Sequence, residues 1–142
     1  MSGERLSIAD YPLAEKHPEI VRGKRGKDLD EITLEALLED RVTIEDLRIT
    51  AAALRQQAEI ARAAGRATLA ANFERGAELV DVPQDTIMRI YELLRPGRAQ
   101  SRDELLAAAR ELRDQYGAER MAAFVEEAAS VYQRRGLFKK RF

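Results

Sequence analysis

From residue 34 to residue 132 the large apolar side chains recur every three or four positions, which is the spacing of one face of an α-helix. Ile87, Ile90, Tyr91 and Leu94 form one such set. No run alternates polar and apolar residues for long enough to predict a β-strand. This pattern restricts the chain to an all-α fold, and we predict a small helical domain of about five helices.

The 142 residues fit one domain, because a chain of this length buries most of its surface around a single core. We predict a single domain over residues 1–142, made of an arm at 1–30, a helical body at 31–136 and a basic tail at 137–142. Alanine is the commonest apolar residue, whereas Phe and Tyr occur four times each and Trp is absent. A core built from such small side chains favours completion by a partner chain.

The arm is interrupted by residues that break regular structure: Pro12, Pro18, Gly23 and Gly26. Proline keeps the preceding residue out of the helical region, and glycine frees the backbone, so we predict an extended N-terminal arm. Its apolar residues are more numerous than a solvated tail needs, and we expect the arm to lie along another surface.

Capping residues mark where the first helices begin. Thr33 precedes a short helix predicted over residues 34–40, and Thr43 with Asp46 three positions later predicts a capped turn. Thr50 opens an Ala-rich segment. Gly65 either separates two helices there or is tolerated inside one at a cost of about 1 kcal/mol, and we favour one long helix from residue 51 towards residue 81.

The C-terminal half carries similar signals. Pro83 suits the first turn of the next helix, and Ser101 with Glu104 forms a capping-box pattern at the start of another. Gly117 either ends that helix or kinks it. Gly136 is placed just past the end of the last helix.

Charge and composition argue against several classes of function. The net charge is −1 and the pI is about 6.0, so no overall field attracts nucleic acid or an anionic membrane. There is no cysteine, and no apolar run approaches the roughly 18 residues that span a bilayer. Without an apolar leader either, the sequence predicts a soluble intracellular protein.

No residue pattern predicts a catalytic, cofactor-binding or metal site. The single histidine, His17, lies in the arm without the partners that a catalytic triad or metal site requires. Residues 23–27 lack the glycine spacing and the Ser or Thr of a phosphate-binding loop. Paired carboxylates such as Glu126 and Glu127 fit solvated helix faces. An independent enzyme therefore has little support.

Two basic clusters leave one alternative open, a stand-alone helical adaptor or nucleic-acid-binding protein. The first cluster lies in the arm and the second in the tail: Arg22, Lys24, Arg25 and Lys27, and residues 138–142 with two phenylalanines among three cations. Such patches contact phosphates and stack on bases. The acidic residues at positions 28, 30 and 31 would cancel much of this field, which favours ordinary solvated cations.

The order of several motifs resembles a known family. They begin with Asp10-Tyr11-Pro12-Leu13-Ala14 and the stretch from Gly26-Lys27-Asp28 to Leu34-Glu35, and continue with Asp46-Leu47-Arg48-Ile49, Asn72-Phe73, Ala77-Glu78-Leu79, Leu94-Arg95-Pro96, Ala123-Phe124-Val125 and Tyr132-Gln133. From about residue 8 to residue 135 the chain resembles the small subunit of adenosylcobalamin-dependent diol and glycerol dehydratases. Gly76 and Gly97 depart from that pattern.

This resemblance implies a heterohexamer with two copies each of a large, a medium and a small subunit. It implies that the large subunit carries the substrate and the radical chemistry, and that adenosylcobalamin lies between the large and medium subunits. The small subunit would be largely helical, pack on the large subunit and supply no catalytic group. The holoenzyme would convert 1,2-propanediol to propionaldehyde, or glycerol to 3-hydroxypropionaldehyde, in the cytoplasm or in a bacterial microcompartment. Neither nucleic acid nor a membrane is an expected partner.

The resemblance and the apolar arm together indicate six residues for the partner interface: Tyr11, Pro12, Leu13, Arg48, Arg75 and Arg95. For each arginine, an exposed position or an ion pair within the chain is the alternative.

Overall fold

The computed structural model describes residues 5–139, and within this range the chain forms seven α-helices and no β-strand. The helices are α1 (Leu13–Lys16), α2 (Leu34–Leu38), α3 (Ala51–Ala63), α4 (Ala67–Leu79), α5 (Gln84–Leu94), α6 (Arg102–Tyr116) and α7 (Glu119–Arg135). Four short 3-10 helices lie at Ile8–Asp10, Pro18–Ile20, Leu29–Glu31 and Ile44–Leu47. The prediction of an all-α fold is confirmed.

The chain divides into two compact units, Met1–Val80 and Asp81–Phe142. The first unit contains the arm and α1 to α4, and the second contains α5 to α7. A single domain over the whole chain therefore stays a prediction.

The long helix predicted from residue 51 towards residue 81 is wrong, because the chain breaks at Gly65. This residue has a φ of +73°, which only glycine adopts readily, and α3 and α4 on either side of it pack against each other. Their contact is built on buried alanines, Ala58, Ala61 and Ala70, with Leu69 and Phe73 packed against them. Burying these faces against each other outweighs the local helix propensity on which the prediction was based.

In the second unit α6 packs along α7, and α5 packs on α6. The core of this unit is made of large and small apolar residues from the two longer helices: Leu105, Ala108, Ala109, Leu112, Ala122, Val125 and Ala129. Gly117 ends α6 with a φ of +62°, so the alternative of a kink is excluded. Gly136 ends α7 with a φ of +65°, as predicted.

Side-chain caps appear where the sequence predicted them, since a cap depends only on near neighbours. The hydroxyl of Thr33 accepts a hydrogen bond from Ala36 N at 3.1 Å, and that of Thr50 accepts one from Ala53 N at 3.0 Å. The capping box at α6 is altered. Ser101 Oγ accepts from Glu104 N at 3.4 Å, but the Glu104 carboxylate accepts from Gln100 N rather than from Ser101 N.

The arm does not run as one extended segment, because α1 and two of the 3-10 helices lie within residues 1–30 and a third begins there. Ser7 and Asp10 form a capping box at its beginning, with Ser7 N donating to Asp10 Oδ2 at 2.7 Å. Leu6 N donates to Glu59 Oε2 at 2.9 Å and ties the arm to α3. The arm therefore lies along its own unit over at least part of its length.

Candidate subunit interface

The three predicted interface residues of the arm differ in their accessibility. Tyr11 is well exposed and Pro12 is half-buried. Leu13 is only 6% exposed, so its side chain is used in the packing of this chain. Tyr11 is thus available to a partner, whereas Leu13 is not in the chain as it stands.

The three predicted arginines share one arrangement, since each bonds to the residue three positions before it. Arg48 Nε lies 2.8 Å from Glu45 Oε1, and Arg95 Nη1 lies 3.1 Å from Glu92 Oε1. Arg75 Nη2 donates to Asn72 Oδ1. Arg48 and Arg95 thus have acidic partners within the chain, whereas Arg75 bonds to a neutral amide. Their part in an interface stays a prediction.

Sequence reasoning found only the arm part of a larger feature, the exposed apolar side chains of residues 8–49. Nine of them lie in this part of the chain: Ile8, Tyr11, Leu29, Leu34, Leu37, Leu38, Ile44, Leu47 and Ile49. In the second unit, the described residues up to 139 include three, namely Met88, Tyr91 and Phe124. Single exposed apolar residues are common, but a concentration of them marks an interaction site. The run of leucines in α2 is the signal that could have revealed it.

The short helix α2 turns its large apolar side chains towards solvent. A helix that packs only within its own chain would bury them. Leu34, Leu37 and Leu38 share one face, since residues three and four apart are neighbours on a helix. Leu34 is 72% and Leu38 is 76% exposed, whereas Ala36 on the other side is 1% exposed. The smallest side chain is thus inside and the largest are outside. Covering a leucine is worth about 1.5–3 kcal/mol, so this orientation is costly without a partner.

The 3-10 helix Ile44–Leu47 repeats this inversion. Asp46 is 1% exposed, whereas Ile44, Leu47 and the following Ile49 point into solvent. Ile44 and Leu47 share a face, because side chains three apart eclipse each other on a 3-10 helix. We call the exposed side chains of Leu34, Leu37, Leu38, Ile44, Leu47 and Ile49 the 34–49 face.

The buried carboxylate of Asp46 fixes this turn to the arm behind it. Its Oδ2 accepts hydrogen bonds from Thr43 N at 2.8 Å and from Arg25 Nη1 at 3.2 Å. Gly23 packs so closely that a Cβ atom there would lie 2.0 Å from the carbonyl oxygen of Asp46. The 34–49 face therefore rests on a backbone contact that admits only glycine.

The only histidine takes part in a small ionic cluster of the arm. His17 Nε2 lies 2.8 Å from Asp10 Oδ1, and its Nδ1 lies 3.1 Å from Glu19 Oε1. The hydrogen bond with Asp10, followed by that with Glu19, raises the pKa of His17 above its ordinary value. The pKa of Asp10 is lowered, first by its bond from the Ser7 backbone and then by His17. This arrangement holds the turns of the arm together.

The described residues contain no group arranged to hold a metal ion, since no three or more His, Cys, Asp or Glu within 5–139 come together in that way. Both ring nitrogens of His17 are already engaged by carboxylates, so this residue is not offered as a ligand. No helix in the same range is long and apolar enough to cross a membrane.

The basic cluster of the arm is partly neutralised within the chain. Arg22 Nη2 lies 2.7 Å from Asp28 Oδ1, and Arg25 pairs with Asp46. In the tail, the ring of Phe138 packs edge-on against Tyr132 at 6.2 Å. Residues 140–142 of the tail cluster lie outside the described residues. These contacts weaken the alternative of a nucleic-acid-binding protein.

A small helical chain that turns an apolar face outward is characteristic of a chain that docks on another protein. Comparison with known proteins agrees. The chain belongs to the dehydratase small subunit family, whose profile matches residues 6–139.

Two curated relatives are similar over nearly the whole chain. The propanediol dehydratase small subunit of Citrobacter freundii is 51% identical over 138 residues, which cover 97% of this chain and 80% of the relative. The protein of the same name from Salmonella typhimurium is 52% identical over 132 residues, which cover 93% of this chain and 76% of the relative. The resemblance noted in the sequence is thereby confirmed.

Proposed function

We propose that this chain is the non-catalytic small subunit of an adenosylcobalamin-dependent diol dehydratase, and that it packs on and stabilises the catalytic large subunit. The inverted 34–49 face carries this proposal, because it leaves leucines and isoleucines in solvent while an alanine and an aspartate are buried. Membership of the dehydratase small subunit family supports it.

We propose that adenosylcobalamin supplies the radical chemistry and is bound by the large and medium subunits, as the resemblance to the family implies. This assignment leaves the present chain a structural role. The small subunit would hold the shape and the assembly of the enzyme, as two copies each of the three chains.

For the substrate we propose 1,2-propanediol, which would be converted to propionaldehyde and water. Both curated relatives are named propanediol dehydratase small subunits. Glycerol is the second candidate, and the choice between them would be made by residues of the large subunit. Such an enzyme would work in the cytoplasm or inside a bacterial microcompartment.

Co-expression of this chain with large and medium dehydratase subunits tests the proposal. Native mass spectrometry and gel filtration should show one complex with two copies of each chain, and that complex should dehydrate 1,2-propanediol when adenosylcobalamin is added. The matched control is the same expression without this chain, which should give less assembled and less active enzyme. A folded monomer that binds neither partner, or full turnover in its absence, would contradict the proposal.

A further inference from the structure

We propose that the 34–49 face is the principal docking surface of this chain, and that its occupant is an apolar groove bordered by Arg and Lys side chains on the large dehydratase subunit. This inference rests on the proposed function and adds to it which residues dock and what chemistry the partner surface has.

The first support is the inversion of two successive elements. In α2 the buried residue is Ala36, and in the following 3-10 helix it is Asp46, while six large apolar side chains face outward between residues 34 and 49. A single element turned outward could be accidental. Two in succession indicate a continuous apolar surface that another chain covers.

The second support is the charge around this face. Seven exposed carboxylates lie between residues 28 and 45, and only Arg41 provides positive charge within that stretch. Among residues 5–139, four of these carboxylates make no ion pair: Asp30, Glu31, Glu35 and Asp40. An acidic border around an apolar centre fits a partner whose groove has a basic border.

The same charges exclude other occupants. A second copy docked through this face would place the unpaired carboxylates of the two chains against each other, and like charges across an interface are costly. Nucleic acid would be repelled for the same reason. The N-terminal arm of the chain itself is already bound elsewhere, through Glu59 of α3 and through Asp46 behind the face.

The face is also held in place before a partner arrives. Arg25 and Thr43 fix Asp46, and the Gly23 contact leaves little room for the turn to shift. A preformed surface loses less conformational entropy on binding than a flexible one, which suits a permanent subunit contact.

The test compares variants of this chain in the co-expressed complex with large and medium subunits. Leu34→Ser with Leu38→Ser changes two strongly exposed residues of the face. The matched control is Met88→Ser with Tyr91→Ser, two exposed apolar residues of the second unit. Asp30→Lys with Glu35→Lys reverses two charges of the acidic border. Circular dichroism of each purified chain confirms that the helices are retained.

The Leu34/Leu38 pair should weaken retention of this chain in the complex by at least about tenfold. The Met88/Tyr91 pair should leave retention unchanged, and the charge reversal should weaken it most at low salt.

Normal retention of the Leu34/Leu38 variant beside a wild-type chain that assembles would overturn this inference and leave the proposed function intact. Failure of the wild-type chain to assemble would instead overturn the proposed function. A dimer of the isolated chain that the Leu34/Leu38 pair abolishes would identify a second copy as the occupant, and so overturn the inference.

Discussion

Arg25 lies over Asp46, with its Nη1 atom 3.2 Å from Oδ2 of a carboxylate whose side chain is fully buried, while Arg25 itself is half exposed. The other oxygen of this carboxylate, Oδ1, has no hydrogen-bond partner among the described residues. Asp46 therefore depends on few contacts. Removing one of them leaves a buried charge incompletely satisfied.

Arg25→Ala is expected to lower the free energy of unfolding by about 1–3 kcal/mol, towards the lower end because water reaches the arginine. Urea unfolding of the purified chain measures this loss. The matched control is Arg41→Ala, since both Arg41 and its partner Glu39 are exposed and such pairs contribute about 0–1 kcal/mol. Equal losses in the two variants would show that the burial of Asp46 has no effect.

Two glycines should respond to alanine with opposite sign. At Gly23 the new Cβ atom would lie 2.0 Å from Asp46 O, a backbone atom that cannot move freely, so Gly23→Ala should cost about 1–3 kcal/mol or more. At Gly76, inside α4, the nearest atom is Leu54 Cδ1 at an ordinary 3.7 Å. Gly76→Ala should therefore stabilise the chain by about 0.5–1 kcal/mol.

The thermal midpoints of the two variants provide the measurement. A stable Gly23→Ala chain would mean that the arm and the Ile44–Leu47 turn are not in close contact, and the rigid support proposed for the 34–49 face would be lost.

Local features of this chain could be predicted from the sequence, and features set by tertiary contacts could not. The caps at Thr33 and Thr50 involve residues three apart, so the residue types alone define them. The break at Gly65 depends on α3 packing against α4, which local propensity does not contain. The spacing of the leucines also shows which residues of α2 share a face, but not that this face turns outward. An apolar face predicts that the face is buried, and the burial can be against the same chain or against a partner chain.

The single histidine makes the arm easy to follow by NMR. The pKa of His17 should lie above about 6.5, because its hydrogen bonds with Asp10 and Glu19 favour the charged ring. Asp10→Asn should bring this pKa down towards its ordinary value. Glu15→Gln is the control, since Glu15 is an exposed carboxylate of the arm that does not bond to His17. An unchanged pKa in the Asp10 variant would contradict the observed cluster.

The same shift makes the stability of the arm depend on pH. A pKa raised in the folded state stabilises the chain below the unfolded value, about 6.5, and this contribution is lost as the pH rises through the folded value. Hydrogen exchange of the amides near residues 7–20 should therefore become faster as the pH rises above about 6.5, beyond the intrinsic effect of base. His17→Gln should abolish this added dependence. Arm amides whose protection stays the same in both chains would show that the cluster does not hold the arm.

Two leucines should separate the stability of the chain from its assembly. Leu112 is 1% exposed in the core of the second unit, and Leu112→Ala should reduce the free energy of unfolding of the isolated chain by about 2–5 kcal/mol. Leu38 belongs to the 34–49 face, so Leu38→Ala should change that free energy by no more than about 0.5 kcal/mol. In the complex the Leu38→Ala variant should have the larger effect. Its chain should dissociate from the partner subunits more readily than a Leu112→Ala chain that is kept folded at low temperature. Urea unfolding of the free chain and native mass spectrometry of the complex measure the two effects. A destabilised Leu38→Ala monomer would show that this leucine packs in its own chain, and the outward orientation of α2 would then have to be abandoned.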